Sequence, residues 1–176
     1  IQFVRTDLAG SKPIPAIIEN AVFKQRRTAI EFKGASVEMI EHVMAALAGL
    51  QIDNCRVEIN APEAPCFDGS SRELSEELLE AGIVEQPFQR KLIRIEQPVT
   101  VEDESGSFIQ AKPLNRSVMA IGYYLNYGDD SPVSPQCLTL EINPETWMSQ
   151  LAFSRTFVLE QEVEAMQALG FGQKLS

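Results

Sequence analysis

The sequence predicts an α+β protein made of two small units, each a β-sheet packed with helices. Two observations favour this class. Residues 1–88 read as strands and helices in turn, whereas residues 89–176 read mainly as strands followed by short helices. The balance of 44% hydrophobic and 23% charged residues over 176 positions is that of a globular chain with one full domain or two small ones.

The first unit begins with strands. Residues 1–5, Ile-Gln-Phe-Val-Arg, read as a strand already under way at the first position. Over residues 16–32, β-branched and aromatic residues interleave with polar ones, which indicates strands separated by a charged turn at 24–27.

The clearest helix is predicted over residues 36–49. Ser36 is expected to accept a first-turn N–H group, and Gly49 to take a left-handed conformation at the end. One stripe at helical spacing should face a core. Its members are Val37, Ile40, Val43, Met44 and Leu47.

A half-buried strand is predicted at 55–59, where apolar and polar residues alternate. Asp68 and Gly69 then indicate a turn, because Asp accepts from backbone N–H groups in such turns. A second helix should follow, with Ser70 and Glu73 at the spacing of a capping box and Gly82 as its end. Its buried side is predicted to consist of Leu74, Leu78 and Ala81.

The second unit is predicted to be richer in strands than the first. Strands are predicted at 91–101, 107–112, 118–127 and 137–142. Asn143 and Pro144 should begin a short helix that contains Trp147 and Leu151, and a further helix is predicted at 160–169.

Composition excludes several classes of function. A net charge of −10 argues against a nucleic-acid partner, since such binding rests on a basic surface that neutralises phosphates. Three cysteines without CxxC spacing favour a reducing compartment, so we expect a cytoplasmic protein. No apolar run approaches the roughly 20 residues of a membrane span, so no transmembrane segment is expected.

Glu41 and His42 are the residues most suggestive of chemistry. Glu41 lies at the edge of the apolar stripe, where a carboxylate is not expected without a reason. The alternative is that Glu41 and Glu38 are surface charges and His42 is a bystander. His42 is the only histidine, so this chain alone cannot build a metal site with two histidines.

One long stretch of the sequence comprises residues 40–54, residues 57–63 and the Asp-Gly-Ser of 68–70. This stretch closely resembles the signature of the UDP-3-O-acyl-N-acetylglucosamine deacetylases, the zinc-dependent enzymes of lipid A biosynthesis. The resemblance extends back to 5–8 and forward through 80–83 to 154–157, and so covers most of the chain. It implies two similar α+β domains facing across an active-site cleft. It also implies one zinc ion and hydrolysis of the N-acetyl group of UDP-3-O-acyl-N-acetylglucosamine, with release of acetate.

The resemblance also implies roles for individual residues. His42 would be a zinc ligand, and Glu41 the general base that takes a proton from the metal-bound water. Thr156 would donate its hydroxyl to the oxyanion that develops on the acetyl carbonyl. Phe157 would line the substrate site, although packing in a core is also open for an aromatic residue.

The sequence departs from the family pattern at both ends. The family takes its other two zinc ligands from a later His-Lys-x-x-Asp-x-x-Gly-Asp segment, so two of three expected ligands are absent here. The family's first strands are also absent ahead of Ile1. We therefore expect a first domain over 1–88 without its N-terminal strands and a second over 89–176 without its C-terminal part. The parent would be the enzyme, and this piece would be inactive alone.

Two further hypotheses stay open at this stage. The chain could be a non-catalytic homologue or fragment that binds a nucleotide sugar or a protein partner. Retention of Glu41, His42 and Thr156 together counts against it, since a scaffold needs none of the three as a set. A plain interaction domain with a chance Glu-His pair would leave the long matched run unexplained.

Overall fold

A computed structural model describes residues 1–160, 162, 163 and 168 of the chain and confirms the α+β class. The strands of this described part are β1 Gln2–Arg5, β2 Ile14–Pro15, β3 Ala21–Lys24, β4 Arg27–Phe32, β5 Ala35–Glu38, β6 Arg56–Ile59, β7 Val99–Glu102, β8 Phe108–Ala111, β9 Ala120–Leu125 and β10 Gln136–Glu141. The helices are α1 Glu41–Gly49, α2 Arg72–Ala81 and the short α3 Pro144–Thr146, which continues as a π-helical turn at Trp147–Leu151. A 3₁₀ turn at Ile18–Asn20 precedes β3.

Two small sheets form the first unit. In one, β1 pairs antiparallel with β2 and parallel with β6, in the order β2-β1-β6. In the other, β3, β4 and β5 form an antiparallel meander. The turn between β4 and β5 has only two residues, Lys33 and Gly34, at φ of 50° and 80°, the left-handed conformation that tight hairpins require.

The main core lies between these sheets and the first two helices. Phe3, Ile14 and Val37 are fully buried on strands, and Leu47 of α1 packs in the same cluster. Burying each such side chain contributes about 1.5–3 kcal/mol relative to leaving it exposed. These contacts fix α1 against the sheets.

The second half contributes two hairpins, β7–β8 and β9–β10, both antiparallel. Neither supplies a residue to the two buried clusters of the described chain. The segment after β10 does supply such residues, Trp147 and Ala152. Asn143 accepts from the Thr146 N–H at 2.9 Å and caps α3, as its sequence indicates.

Trp147 joins the two halves of the chain. Its side chain is buried against α1 and α2 in a cluster with Ala46, Leu50 and Ala152. The indole Nε1–H donates to Ser75 Oγ at 2.9 Å.

Helix α1 begins later than predicted. Ser36 and Val37 lie in β5, so the expected N-cap at Ser36 is wrong. The reason is pairing: Val37 lies opposite Ile30 of β4, and sheet formation replaces the first turn of the predicted helix. The stripe from Ile40 to Leu47 does face the core, as expected.

The end of α1 also differs from the prediction. Gly49 is the last helical residue, and the left-handed φ of 59° falls on Gln51. Gly49 is instead required for steric reasons, because a Cβ at this position would lie 2.1 Å from Trp147 Cδ2.

Other predicted elements were partly wrong. The capping box of α2 does not form, because the Ser70 N–H donates to Asp68 Oδ1 instead of to Glu73. Ala81 is exposed, while Gly82 ends the helix at φ 86° as expected. The strand expected over 91–101 shortens to β7, and the helix expected at 160–169 lies largely outside the described residues.

Candidate functional site

Glu41 is the first residue of α1, at the end of the helix where N–H groups lack intrahelical partners. Its carboxylate Oε2 accepts from the Thr28 backbone N–H of β4 at 3.0 Å. A carboxylate at a helix N-terminus is also stabilised by the helix dipole, by about 0.3–1 kcal/mol. The half-buried Glu41 is therefore held by a hydrogen bond from β4.

The backbone before Glu41 makes a tight transition from strand to helix. Only Met39 and Ile40 separate β5 from α1, and Met39 has φ 59°, a conformation uncommon for a residue with a side chain. Ile40 is buried and helps to anchor this turn in the core. The core thus fixes the position of the first turn of α1.

His42 follows Glu41 on the same helical turn and is half-buried. Its backbone carbonyl accepts from Ser71 Oγ at 3.1 Å. Ser71 belongs to a segment of residues 68–71, here called the 68–71 loop, that leads into α2. The loop therefore lies against the turn that carries both candidate residues.

Asp68 organises this loop, as the sequence indicated. Its Oδ1 accepts from the Ser70 hydroxyl at 2.6 Å and from the Ser70 N–H at 2.9 Å, and Gly69 takes φ 83°. The hydrogen bond from the Ser70 hydroxyl, joined by that from its N–H, lowers the pKa of Asp68 below its ordinary value. Arg155 Nη1 lies 3.8 Å from Asp68 Oδ2, an exposed ion pair.

Thr156 and Phe157 follow Arg155 in a segment without regular structure. Thr156 is exposed. Phe157 is half exposed and meets the ring of Tyr127 edge to face, with centroids 6.2 Å apart. Core packing is therefore not the role of Phe157 in the described chain. The contact of Arg155 with Asp68 brings this segment to the 68–71 loop.

The described residues do not by themselves complete a metal site. Over residues 1–160, 162, 163 and 168, no group of three or more His, Cys, Asp or Glu side chains is arranged to hold an ion. His42 offers one imidazole donor, whereas zinc in proteins takes three or four ligands.

An apolar groove lies elsewhere, between β6 and the first two helices. Its volume is about 370 Å³, and Val57, Leu74 and Leu78 are among its lining residues. Neither Glu41 nor His42 lines it.

Sequence reasoning missed the partners that hold the candidate residues. The Thr28 N–H beneath Glu41 carries no side-chain signal, so a pattern of residue types could not reveal it. The capping pattern indicated Ser70, whereas Ser71 makes the contact with α1. Trp147, the single tryptophan, was a signal that could have been used, because a lone large aromatic at the start of a helix commonly docks on another element.

Fold and site together define an α+β protein in which a glutamate and a histidine share the first turn of a core helix, beside an Asp-Gly-Ser turn. The sequence model described as "LpxC: UDP-3-O-acyl N-acetylglycosamine deacetylase" matches residues 1–176. The chain belongs to this family.

Individual relatives agree. A bifunctional enzyme LpxC/FabZ from Chlorobaculum tepidum is 37% identical over 169 residues, covering 96% of this chain and 36% of that enzyme. A UDP-3-O-acyl-N-acetylglucosamine deacetylase from Bdellovibrio bacteriovorus is 33% identical over 174 residues, covering 98% and 56% respectively. One from Neisseria gonorrhoeae is 34% identical over 186 aligned positions, covering 100% and 58%. The chain thus spans between 36% and 58% of the length of these curated relatives.

Within the described part of the chain, no helix has the length and apolar character needed to cross a membrane.

Proposed function

We propose that the protein containing this chain removes the N-acetyl group of UDP-3-O-acyl-N-acetylglucosamine and releases acetate, as an enzyme of lipid A biosynthesis. The observation that carries the proposal is the family match over residues 1–176, with Glu41 and His42 together on the first turn of α1. The proposed substrate is a small molecule. The net charge of −10 argues against a nucleic-acid partner.

Glu41 is the proposed general base. Amide hydrolysis needs a group that takes a proton from the attacking water and returns one to the leaving amine. The Thr28 N–H donates to Oε2 of Glu41, and Oε1 would take the proton of the reacting water. A hydrogen bond that holds the carboxylate in one orientation supports this role, since proton transfer depends on geometry first.

His42 is the proposed zinc ligand from this chain. Zinc, when bound, would polarise the amide carbonyl and acidify a water molecule. The described residues provide His42 without companion donors, so one ion with two further ligands from outside them is part of the proposal.

Thr156 and Phe157 are proposed to complete the site from the second half of the chain. The Thr156 hydroxyl would donate to the developing oxyanion, and Phe157 would contact the substrate. Support comes from the proximity of Arg155 to Asp68, 3.8 Å between Nη1 and Oδ2, since their segment lies beside the 68–71 loop.

Two domains, 1–88 and 89–176, are proposed to face each other across the cleft. Each sheet of the described chain draws all its strands from one side of this division, which supports it. The cysteines are all free, as in a reducing compartment, and a cytoplasmic location is included in the proposal.

The test uses the protein expressed from its complete reading frame. Acetate release from the UDP-linked substrate is compared for wild type, Glu41→Gln and Glu77→Gln, an exposed glutamate on α2. Because the amide cannot accept a proton, Glu41→Gln should lower kcat by about 10²–10⁴. Glu77→Gln should match wild type. Wild type without acetate release would refute the function, and an unchanged kcat in Glu41→Gln would refute the role of Glu41.

Zinc binding is tested separately from activity. Elemental analysis of chelator-washed and re-zincated protein should show about one zinc per complete chain, and His42→Ala should lower it because a first ligand is lost. Equal zinc content in the two proteins would refute His42 as a ligand. Residues 1–176 expressed alone are expected to show no turnover.

A further inference from the structure

The 68–71 loop connects two parts of the candidate site that are distant in the sequence. On one side lies the first turn of α1, with Glu41 and His42. On the other side lies the segment of residues 152–157, which ends in Thr156 and Phe157. The loop contacts both parts, and Ser71 donates a hydrogen bond to a backbone carbonyl of each.

Ser71 makes two hydrogen bonds to carbonyl groups. Its hydroxyl donates to the His42 carbonyl at 3.1 Å, and its N–H donates to the Ala152 carbonyl at 3.0 Å. The residue is only 6% exposed, so both bonds are largely protected from water. A carbonyl has two lone pairs, and in a helix one of them serves the N–H four residues later. The Ser71 hydroxyl is thus a second donor on the turn that carries His42.

A second tether runs parallel to the Ser71–Ala152 bond. Arg155 Nη1 lies 3.8 Å from Asp68 Oδ2, and the Arg155 side chain passes 3.9 Å from the place a Cβ would occupy on Gly69. Residue 152 is therefore bonded to the loop, and the side chain of residue 155, which directly precedes Thr156, lies beside it. Ser71 thus bonds both to this segment and to the first turn of α1.

We propose that Ser71 is a positioning residue for the candidate site, whose hydroxyl sets the first turn of α1 relative to residues 152–157. The inference rests on the proposed function. Ser71 contacts no substrate in this assignment. It acts through Glu41 and His42, and misplacing such groups by about 1 Å can lower a rate by about 10²-fold.

The neighbouring hydrogen bond between Ser75 and Trp147 has a different structural role. Ser75 Oγ accepts from the Trp147 indole and donates to the Ser71 carbonyl at 2.7 Å, at the start of α2. Removal of the Ser75 hydroxyl leaves the buried indole N–H without an acceptor, yet leaves the Ser71 hydroxyl on His42. The pair stabilises the docking of Trp147, whereas Ser71 positions the site.

This difference allows a test with matched serine variants of the complete protein. Ser71→Ala removes the hydroxyl, Ser71→Thr retains one, and Ser75→Ala removes another buried hydroxyl four residues later. Ser149→Ala is the outer control, since the Ser149 hydroxyl donates to the Glu145 carbonyl at 2.7 Å on an exposed turn. Thermal unfolding is recorded for each variant, and kinetics are measured where all are folded.

Ser71→Ala should lower kcat by about 10- to 100-fold with KM within about twofold of wild type, because positioning acts on the reacting groups. Ser71→Thr should recover most of this loss. Ser75→Ala should have the lower unfolding temperature but keep kcat, and Ser149→Ala should match wild type in both. An unchanged kcat in Ser71→Ala, or a kcat that falls in Ser75→Ala as far as in Ser71→Ala, would overturn the proposal.

A readout without turnover separates this inference from the proposed function. Amide hydrogen exchange at residues 41–46 should be faster in Ser71→Ala than in Ser149→Ala, because the first turn of α1 has lost an outside tether. If wild type releases no acetate, the proposed function fails, and the exchange comparison then decides whether Ser71 tethers α1. Equal exchange in the two variants would show that it does not.

Discussion

Substitution of Gly49 by alanine tests how the two halves of the chain meet. A Cβ at this position would lie 2.1, 2.3 and 2.6 Å from three ring atoms of Trp147, where 3.4–4 Å is ordinary contact. The ring cannot simply move aside, because it is 8% exposed and its Nε1–H is bonded to Ser75. Gly49→Ala must therefore displace Trp147 or the end of α1.

The expected cost can be worked from these contacts. Overpacking a core by one carbon costs about 1–3 kcal/mol. Displacing the indole from Ser75 leaves a buried donor unsatisfied, which costs about 1–3 kcal/mol more. Alanine is a better helix former than glycine by about 1 kcal/mol, and this opposes the loss. The net decrease in the free energy of unfolding should be about 1–5 kcal/mol.

Urea denaturation of wild type and Gly49→Ala measures the change, and two further variants assign its cause. Ala48→Gly, at an exposed position one residue earlier, calibrates helix propensity and should cost about 1 kcal/mol. In a Trp147→Ala background the clash is gone, so Gly49→Ala should be neutral or stabilising. A Gly49→Ala protein as stable as wild type, or a loss that persists without Trp147, would refute the reasoning.

Two other predictions concern the core and the Asp-Gly-Ser turn. Ile14→Ala removes a fully buried side chain and should cost about 2–5 kcal/mol, whereas Ile18→Ala, at a residue 82% exposed, should stay within about 0.5 kcal/mol of wild type; equal losses in urea denaturation would contradict the core assignment. The pKa of Asp68 is lowered in the folded state, mainly by the Ser70 hydroxyl, so its contribution to stability is present above the unfolded pKa of about 3.9 and is lost as pH falls through the lower folded pKa. Asp68→Asn should therefore lose less of its free energy of unfolding than wild type between about pH 5 and pH 2, and parallel pH profiles of the two would argue against this turn.

Several elements could be predicted because their signals are local. The stripe of Ile40, Val43 and Leu47 identified the buried face of α1, since helical spacing alone decides which side chains share a face. Asp68 and Gly69 identified a turn because Asp accepts from nearby N–H groups and Gly tolerates positive φ. The family signature lies in the same stretch, so the order of residues is enough to identify the Glu-His pair.

Other features were decided by partners far along the chain. The possible N-cap at Ser36 and the helical spacing of Val37 indicate a helix at residues 36–37, but pairing with β4 makes them a strand. Gly49 is typical of a helix stop, but the indole of Trp147 requires a residue without a side chain there. The Ser71–His42 bond spans 29 positions and the Trp147–Ser75 bond spans 72, and neither has a pattern in the sequence.

The sequence by itself determined the α+β class, the buried stripe of α1, the Asp-Gly-Ser turn and the resemblance to a deacetylase family. Each of these depends on spacing or on conformational preferences within a few residues. Only the tertiary structure decided where α1 begins and at which glycine a side chain would clash. It also decided which residue bonds the first turn of α1 to the segment before Thr156. These depend on hydrogen bonds and close contacts between residues that folding brings together, and at residues 36–37 sheet pairing replaces the helix that the local pattern indicates.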